Sequence, residues 1–595
     1  MSIDWGGRVV GFPAEYTALY REAGLWHDLT IAEEFHRVAQ LNGSGMAVVA
    51  DEGSLSYAEL DEATDRLALG LAGLGLHPGD RVIVQVTNRL SSVVSWYGLL
   101  KAGLIPVCTL AAHRAHEIAA ISRKVDAVAH LVDATLPGFD LVQFAFDMQL
   151  ENPALRHVLT LGAPSASRGV RIEQLIEDAD PATARATVDA IQEAIDPDEV
   201  VCFQLSGGTT GTPKIISRLH AEYWYNARAF ASASGWTSAT RAAHLIPIIH
   251  NAGISCALHA VHSVGGTLIL ATPVLDQALS LLVRERPTDA LIGHGHYTMV
   301  DHPDFPAAMT SMRRVLLSGA KVPDRVFESF ERQDVWVGQT FGMGEGFFTL
   351  STPQSNRLSR TTTVGPPMSP LDEFRVLEPG TEDEVAEGET GELACRGPYT
   401  IRGYFDAPEI NATAFTSDGF YRTGDLVAVK QFDGELGISI EGRIKDLINR
   451  GGEKISAEEV EGLLLRHPAI AAAAVVAMPD ERLGERACAY LVATHDPITL
   501  DEVRRHLSLW RWPSSNGPSG WSGFPRYRAR RSASWTRNGC SRTSRRRSAR
   551  ADPPPGGSPP WLEIGPPALR IHRRAAAPAP AGQDRDEASP GRCGD

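Results

Sequence analysis

Apolar residues along this chain fall into two rhythms. Unbroken runs such as RVIVQV (81–86) and IPVCTL (105–110) predict buried strands. Between them, apolar positions recurring every three or four residues predict amphipathic helices. SYAELDEATDRLALGLAGLGL is one, with Ser56 placed to cap its N-terminus, and SSVVSWYGLLKAGL is another. AVVADEG, HLIPII, GTLILA, DALIG and RRVLLSG extend the strand series. Alternation of this kind predicts an α/β fold with a largely parallel sheet. From about 365 to 440 the rhythm changes to strands and glycine-rich turns (GETGELACRG, YRTGDLVAVK), a small β-rich subdomain. After GRIKDLINRGGEKI a compact α+β pattern begins, with helices at AEEVEGLLLRH and TLDEVRRHL flanking strands at IAAAAVVAM and RACAYLVAT. Past Leu507 the periodicity stops.

Composition narrows the function classes. A formal charge of −15 argues against nucleic acid as the main partner. The N-terminal MSIDWGGRVV has no signal-peptide pattern, and no apolar run approaches the twenty residues of a membrane span. Seven cysteines lie scattered without CxxC spacing, which suits neither a disulfide framework nor a zinc site and predicts a reducing cytoplasm.

The strongest chemical signal is LSGGTTGTPK, directly after the apolar VVCFQ. Gly207, Gly208 and Gly211 let the backbone turn tightly and aim successive N–H groups at one anion. Ser206, Thr209, Thr210 and Thr212 add hydroxyl donors, and Lys214 adds a positive charge. The lysine follows Thr-Pro and not Gly, so this is a phosphate loop of a kind other than Walker A.

With IPIIHNAGIS, LLSGAK, QTFGMGEG, GELACRGPYTIRGY, YRTGD and GRIKDLINRGGEKI following in order, the chain from roughly residue 10 to 507 resembles the acyl-adenylate-forming superfamily. Within it the match is to the aryl-acid AMP ligases, which activate 2,3-dihydroxybenzoate or salicylate for siderophore assembly. The resemblance implies a large N-terminal adenylating domain (1–442) of two α/β subdomains plus the β-rich one. A mobile α+β C-terminal domain would begin at 443–508. It implies ATP and Mg²⁺ as cofactors. Ser206 to Lys214 would hold the β- and γ-phosphates; Gly319, Ala320 and Lys321 would lie along the adenine, with Phe341 stacked on it beside Gly342. Glu345 would reach the magnesium, Asp425 the two ribose hydroxyls, Arg443 the ribose and phosphate, and Lys445 would be the hinge. The implied reaction is attack of an aryl carboxylate on the α-phosphate. Transfer to the phosphopantetheine thiol of an aryl carrier protein would follow, or to CoA in a rival reading.

The same resemblance places the acid against His250–Asn251, near Gly344, with the Asn amide on the ortho hydroxyl. Dihydroxybenzoate enzymes typically carry a serine five residues beyond that Asn; this chain has Cys256. Sulfur hydrogen-bonds weakly, so a site with Cys256 does not require a second hydroxyl, and salicylate is favoured. Two departures stand beside this: Ala252 where an aromatic residue is common, and LIGHGHYT, with His294 and His296, in place of a Val-Pro-Pro wall. The two histidines invite a metal-site reading that no nearby Cys/His cluster supports.

The tail departs from the family altogether. From Arg504 to Arg550 there are thirteen arginines, no acidic residue and no lysine, and ADPPPGGSPP follows. Family members end with a glycine-lysine loop whose lysine enters the active site, yet no lysine follows Lys454. Codons permitted for residues 509–550, read one frame away, spell a family C-terminus containing PRTSVGKLDKK and then a stop. The segment 509–595 is therefore expected to be out of frame and disordered, and the enzyme impaired. The rival reading, an arginine tail that binds nucleic acid, has no helix pattern or aromatic interleaving behind it.

Overall fold

The computed structural model describes residues 3–206, 213–319, 322–432, 434–450, 453–480, 482–493 and 498–509. It divides into two units, Met1–Lys445 and Asp446–Asp595. The tail from residue 510 onward, and with it the expected disorder, lies outside the described residues.

The first unit contains two mostly parallel sheets with helices packed on them. The eight-stranded sheet runs in spatial order Phe348–Leu350, Trp336–Gly342, Arg314–Ser318, Asp289–Gly293, Arg241–His244, Thr267–Leu270, Met46–Ala50 and Gly53–Ser56. Only its two edge pairs are antiparallel. The seven-stranded sheet runs Val170–Arg171, His157–Leu161, Ala129–Asp133, Arg81–Val86, Ile105–Leu110, Val200–Leu205 and Ile215–Leu219, antiparallel only in its last pair. Strands buried on both faces read as continuous apolar runs, which is why RVIVQV and IPVCTL were legible. The helix Tyr57–Gly73 starts where its capping residues dictate: Ser56 Oγ accepts from Glu59 N–H, and the Glu59 carboxylate accepts from Ser56 N–H at 2.8 Å. Its Leu60, Leu67 and Leu71 recur at helical spacing and are buried in the main core.

One predicted strand is absent. HLIPII leaves the sheet at His244, the last residue of Arg241–His244, and residues 245–250 form an irregular turn. Pro247 has no N–H to give a ladder, and the side chain of Asn88 takes over the pairing. Its Nδ2 donates to the carbonyls of Ile246 (2.9 Å) and Ala271 (2.8 Å), and its Oδ1 accepts from Ile248 N–H (2.7 Å). The turn delivers His250 and Asn251 to a short helix, Asn251–Gly253, followed by a π-helical turn over Ile254–Leu258.

The β-rich part is an antiparallel meander of Glu373–Leu377, Gly391–Arg396, Tyr421–Phe432 and Glu435–Arg443. The second unit has its own antiparallel sheet, in order Glu453–Ser456, Leu447–Arg450, Gly484–Ala493 and Ile470–Asp480, with helices Ala457–Leu465 and Leu500–Leu509. Its separate core includes Ile448, Val460, Val475 and Val503. No helix among the described residues is long and apolar enough to cross a membrane.

Candidate active site

The phosphate-loop string joins the antiparallel pair Val200–Leu205 and Ile215–Leu219, whose register closes at Leu205 opposite Ile215. Its two ends are clasped: Ser206 N–H donates to the Lys214 carbonyl at 2.9 Å, and Lys214 N–H donates to Ser206 Oγ at 3.2 Å. Gly207, Gly208, Thr209, Thr210, Gly211 and Thr212 lie outside the described residues, as do Ala320 and Lys321.

Lys214 and Glu345 stand on either side of one hydroxyl. Lys214 Nζ donates to Tyr404 Oη at 2.6 Å, Tyr404 donates to Glu345 Oε1 at 2.6 Å, and the Tyr421 hydroxyl lies 2.8 Å from Tyr404 Oη. Burial pushes the Lys214 ammonium below its usual range, opposed by the Glu345 charge. Burial, reinforced by Glu345, pushes the Tyr404 phenol far up, so Tyr404 stays a donor. The turn carrying Glu345 is held from below by Arg218, a fully buried cation. Arg218 donates to the Gly344 carbonyl at 2.9 Å and the Tyr399 carbonyl at 3.2 Å, and pairs with Glu222 at 2.7 Å. Burial opposes its charge, but the Glu222 carboxylate outweighs that and raises the guanidinium pKa. Gly346 completes the turn at φ +89°, where a Cβ would come within 1.8 Å of the Tyr399 carbonyl oxygen, so no other residue fits.

Asp425 is buried and its Oδ1 lies 2.6 Å from Nε of Arg443, directly across the meander. The sequence reading gave the two residues separate contacts to the nucleotide and did not anticipate that they pair with each other. Lys445 is the last residue of the first unit. Phe341 and Gly342 end the strand Trp336–Gly342, with Phe341 packed beside the meander's core.

The residues expected to meet the acid carry neutral groups. Asn251 is buried; its Oδ1 accepts from the Tyr223 hydroxyl at 2.9 Å and its Nδ2 donates to the Met343 carbonyl at 3.4 Å. His250 caps the short helix, its Nδ1 accepting from Ala252 N–H at 3.2 Å. Cys256, on the π-helical turn, is almost fully buried in the main core, its thiol pushed up to about 12 by burial. Its Sγ lies 3.5 Å from Ser255 Oγ. Gly319 follows the strand Arg314–Ser318 at φ +98°, and His294 Nδ1 lies 2.8 Å from where its Cβ would stand. Burial holds His244 near a pKa of about 3, and His250 and His296 disfavour its charge further, so the imidazole is neutral. Among the described residues no group of three or more His, Cys, Asp or Glu side chains is placed to hold a metal alone.

The structure therefore joins Lys214 to Glu345, Asp425 to Arg443, and Asn251 to the Met343–Glu345 turn. Sequence reasoning missed the groups that make those joins. Tyr404 and Tyr421 lay inside quoted strings, GELACRGPYTIRGY and YRTGD, but nothing local distinguished them from core tyrosines. Arg218 and Tyr223 carried no signal at all. An arginine at the end of IISRL reads as a surface charge until its fold partners are known.

Glu345 suits magnesium. It offers a single buried carboxylate whose Oε1 accepts from the Tyr404 hydroxyl, which in turn accepts from Lys214. Magnesium characteristically takes one or two carboxylates and completes its shell with phosphate oxygens and water.

Comparison with known proteins bears on most of the chain. The AMP-binding enzyme family matches residues 35–405, and the AMP-binding enzyme C-terminal domain matches residues 459–510. A salicylyl-CoA synthase / salicylate adenylyltransferase of a Streptomyces species is 38% identical over 84% of this chain and 91% of its own. The salicyl-AMP ligase / salicyl-S-ArCP synthetase of Mycobacterium tuberculosis is 36% identical over 84% of this chain and 88% of its own. Among solved structures, the apo structure of MbtA from Mycobacterium smegmatis superposes with a TM-score of 0.68 at 34% identity, covering 86% of this chain and 93% of that one. The motifs, the clasped loop with its lysine beside Glu345, and these matches agree: the chain belongs to the AMP-binding enzymes, the acyl-adenylate-forming superfamily, and is an adenylate-forming ligase of the branch that contains the aryl-acid AMP ligases.

Proposed function

We propose that this chain activates an ortho-hydroxy aryl acid, with salicylate preferred over 2,3-dihydroxybenzoate, as the first step of siderophore assembly. The observation that carries this reading is Asn251. It is an amide held at both ends by the protein, with one N–H left to meet an ortho oxygen, a few ångströms from the turn that bears Glu345. The names borne by the Streptomyces and mycobacterial relatives support the same acid class. Cys256 supports salicylate because its buried thiol is a weak hydrogen-bonding partner for a second hydroxyl.

In the first step a carboxylate oxygen of the acid bonds to the α-phosphorus of ATP, and the bond to the bridging oxygen of the β-phosphate breaks. Its electron pair leaves on pyrophosphate. Lys214 and the phosphate loop hold the leaving group, Asp425 accepts from the ribose hydroxyls, and Arg443 steadies ribose and α-phosphate. Glu345 would hold magnesium, which when bound offsets charge on the phosphate oxygens. In the second step a thiol sulfur bonds to the aryl carbonyl carbon, AMP departs with the electrons of the acyl–phosphate bond, and the thiol proton is lost. We assign the thiol to the phosphopantetheine of an aryl carrier protein, with Lys445 the hinge between the two steps. The CoA in the name of the Streptomyces relative favours CoA as the second candidate.

We further propose that residues from about 509 onward are read out of frame, which removes the lysine that the family inserts during adenylation. The C-terminal family match ends at residue 510, beside the expected point of departure near 509, in support of this. The test is acid-dependent ATP–pyrophosphate exchange by the chain and by its frame-restored counterpart. Exchange stimulated most by salicylate is expected. Stimulation by aliphatic acids and not by aryl acids overturns the reading.

A further inference from the structure

Asn251 is not an isolated amide. Gln204 Nε2 donates to Tyr223 Oη at 3.2 Å and also reaches Cys108 Sγ at 3.3 Å. The Tyr223 hydroxyl then donates to Asn251 Oδ1 at 2.9 Å, and Asn251 Nδ2 donates to the Met343 carbonyl at 3.4 Å. All of these side chains except the Met343 turn are buried. A backbone carbonyl only accepts, so the Asn251 atom facing Met343 is its nitrogen. Its oxygen therefore faces Tyr223, and the Tyr223 hydroxyl proton has a single useful direction. The relay has one polarity from Gln204 to Met343.

We propose that Tyr223 is a positioning residue that fixes the orientation of the Asn251 amide, and so makes the acid site select an ortho substituent that accepts a hydrogen bond over one that can only donate. The proposal rests on the aryl-acid reading above. The amide nitrogen has two hydrogens and Met343 takes one, so the group presented to the ligand is an N–H donor. The oxygen of an ortho hydroxyl or phenolate meets it well. An ortho amino group does not, because the lone pair of an aniline nitrogen is drawn into the ring and its hydrogens would face another donor. Burial keeps the Tyr223 phenol protonated, its pKa raised far above the ordinary range. The Arg218 guanidinium packs on the Tyr223 ring at 4.4 Å from the centroid, which fixes the ring independently of its hydroxyl. Tyr223→Phe should therefore remove the polarity of the relay while leaving the ring in place.

The experiment is calorimetric titration of the full chain with two non-hydrolysable acyl-adenylate analogues, identical except for 2-hydroxybenzoyl or 2-aminobenzoyl as the acyl group. The unmutated chain should bind the hydroxy analogue about tenfold or more tightly than the amino one, the effect of exchanging a buried hydrogen bond for a donor–donor contact. In Tyr223→Phe that ratio should fall to within about threefold, mainly through tighter relative binding of the amino analogue. In Asn251→Asp, which offers acceptors at both ends, the ratio should invert, and this variant decides the matter should Tyr223→Phe not fold. An unchanged ratio in Tyr223→Phe, with both analogues weakened equally, overturns the positioning role, as does an uninverted ratio in Asn251→Asp. Failure of the folded, unmutated chain to bind either analogue overturns the aryl-adenylate reading beneath it instead.

Discussion

In the site proposed above, the phosphate end and the acid end are built on opposite principles. At the phosphate end, ionised groups from distant segments meet through short hydrogen bonds: Lys214, Glu345 and, between them, Tyr404. At the acid end the groups are neutral: an amide, a thiol pushed up to about 12 and the His250 imidazole, its charge disfavoured by burial. The two ends share the Met343–Glu345 turn, whose carbonyls bind Asn251 and the buried Arg218. The difference follows from what each must do. Charge developing on phosphates is stabilised most by fixed charges and dipoles, whereas an aryl acid is told from its analogues by one or two directional bonds in apolar surroundings. Changes at the first end should therefore alter rate by orders of magnitude, and changes at the second should alter choice by about one.

The largest effect is expected from Glu345→Gln, which should lower pyrophosphate exchange by about 10²–10³, the usual loss for one preorganised electrostatic contact. Tyr404→Phe keeps both charges and loses only the hydroxyl between them, so its loss should be about tenfold. Equal losses in the two variants would break the distinction between charge and positioning at this end. Restoring the reading frame near codon 508 supplies the missing terminal lysine and should raise exchange by about two orders of magnitude on the same basis. Equal exchange before and after restoration would remove the functional force of the frame argument.

At the acid end the effects are smaller. Cys256→Ser should move the ratio of kcat/KM for salicylate over 2,3-dihydroxybenzoate toward the latter by tenfold at most, since one buried hydrogen bond contributes about 0.5–1.5 kcal/mol net. A larger shift, or equal use of both acids before mutation, would contradict the role given to the thiol.

The smallest expected effect is on stability, at Asp372. Burial raises its carboxyl to about 7, against donation from Tyr399 Oη and Ser369 N–H. A carboxyl whose folded pKa is raised binds more protons folded than unfolded. Its stabilisation is therefore full below the ordinary carboxylate range and is lost as pH rises toward and past about 7. Thermal melts of Asp372→Asn between pH 5 and 8 should show a flatter decline than the unmutated chain. An identical slope would mean that Asp372 is already ionised in the fold.

How far the sequence could be read differs between the same two ends. The phosphate end announced itself because its groups sit in short strings: Ser206 and Lys214 bracket one loop, and Asp425 and Arg443 fall in strings that are each informative alone. Tyr404 could not be assigned, because its partners Lys214 and Glu345 lie 190 and 59 residues away. The acid end was legible only as the His250–Asn251 pair. What positions it is spread wider still: Asn88 bends the chain 160 residues away from Ile248, and Tyr223 orients Asn251 across 28. HLIPII read as a strand because an apolar run carries no mark of an asparagine elsewhere taking its backbone bonds. In the fold, the strands legible as apolar runs were those buried on both faces, and the helices legible from spacing were amphipathic. The antiparallel return Ile215–Leu219 after the phosphate loop passed unread.

The central claim is that these two unlike ends are halves of one acyl-adenylate site. Calorimetry on the full chain with a non-hydrolysable salicyl-adenylate analogue, with salicylate alone and with AMP alone, tests it without requiring turnover. Ligands joined across two halves of one site gain the effective concentration of the link, on the order of 10²–10⁴ in affinity. The account predicts one analogue per chain, bound at least about 10² more tightly than either fragment, with salicylate displaced when it binds. An analogue held no more tightly than AMP alone, by protein that melts cooperatively, would contradict it.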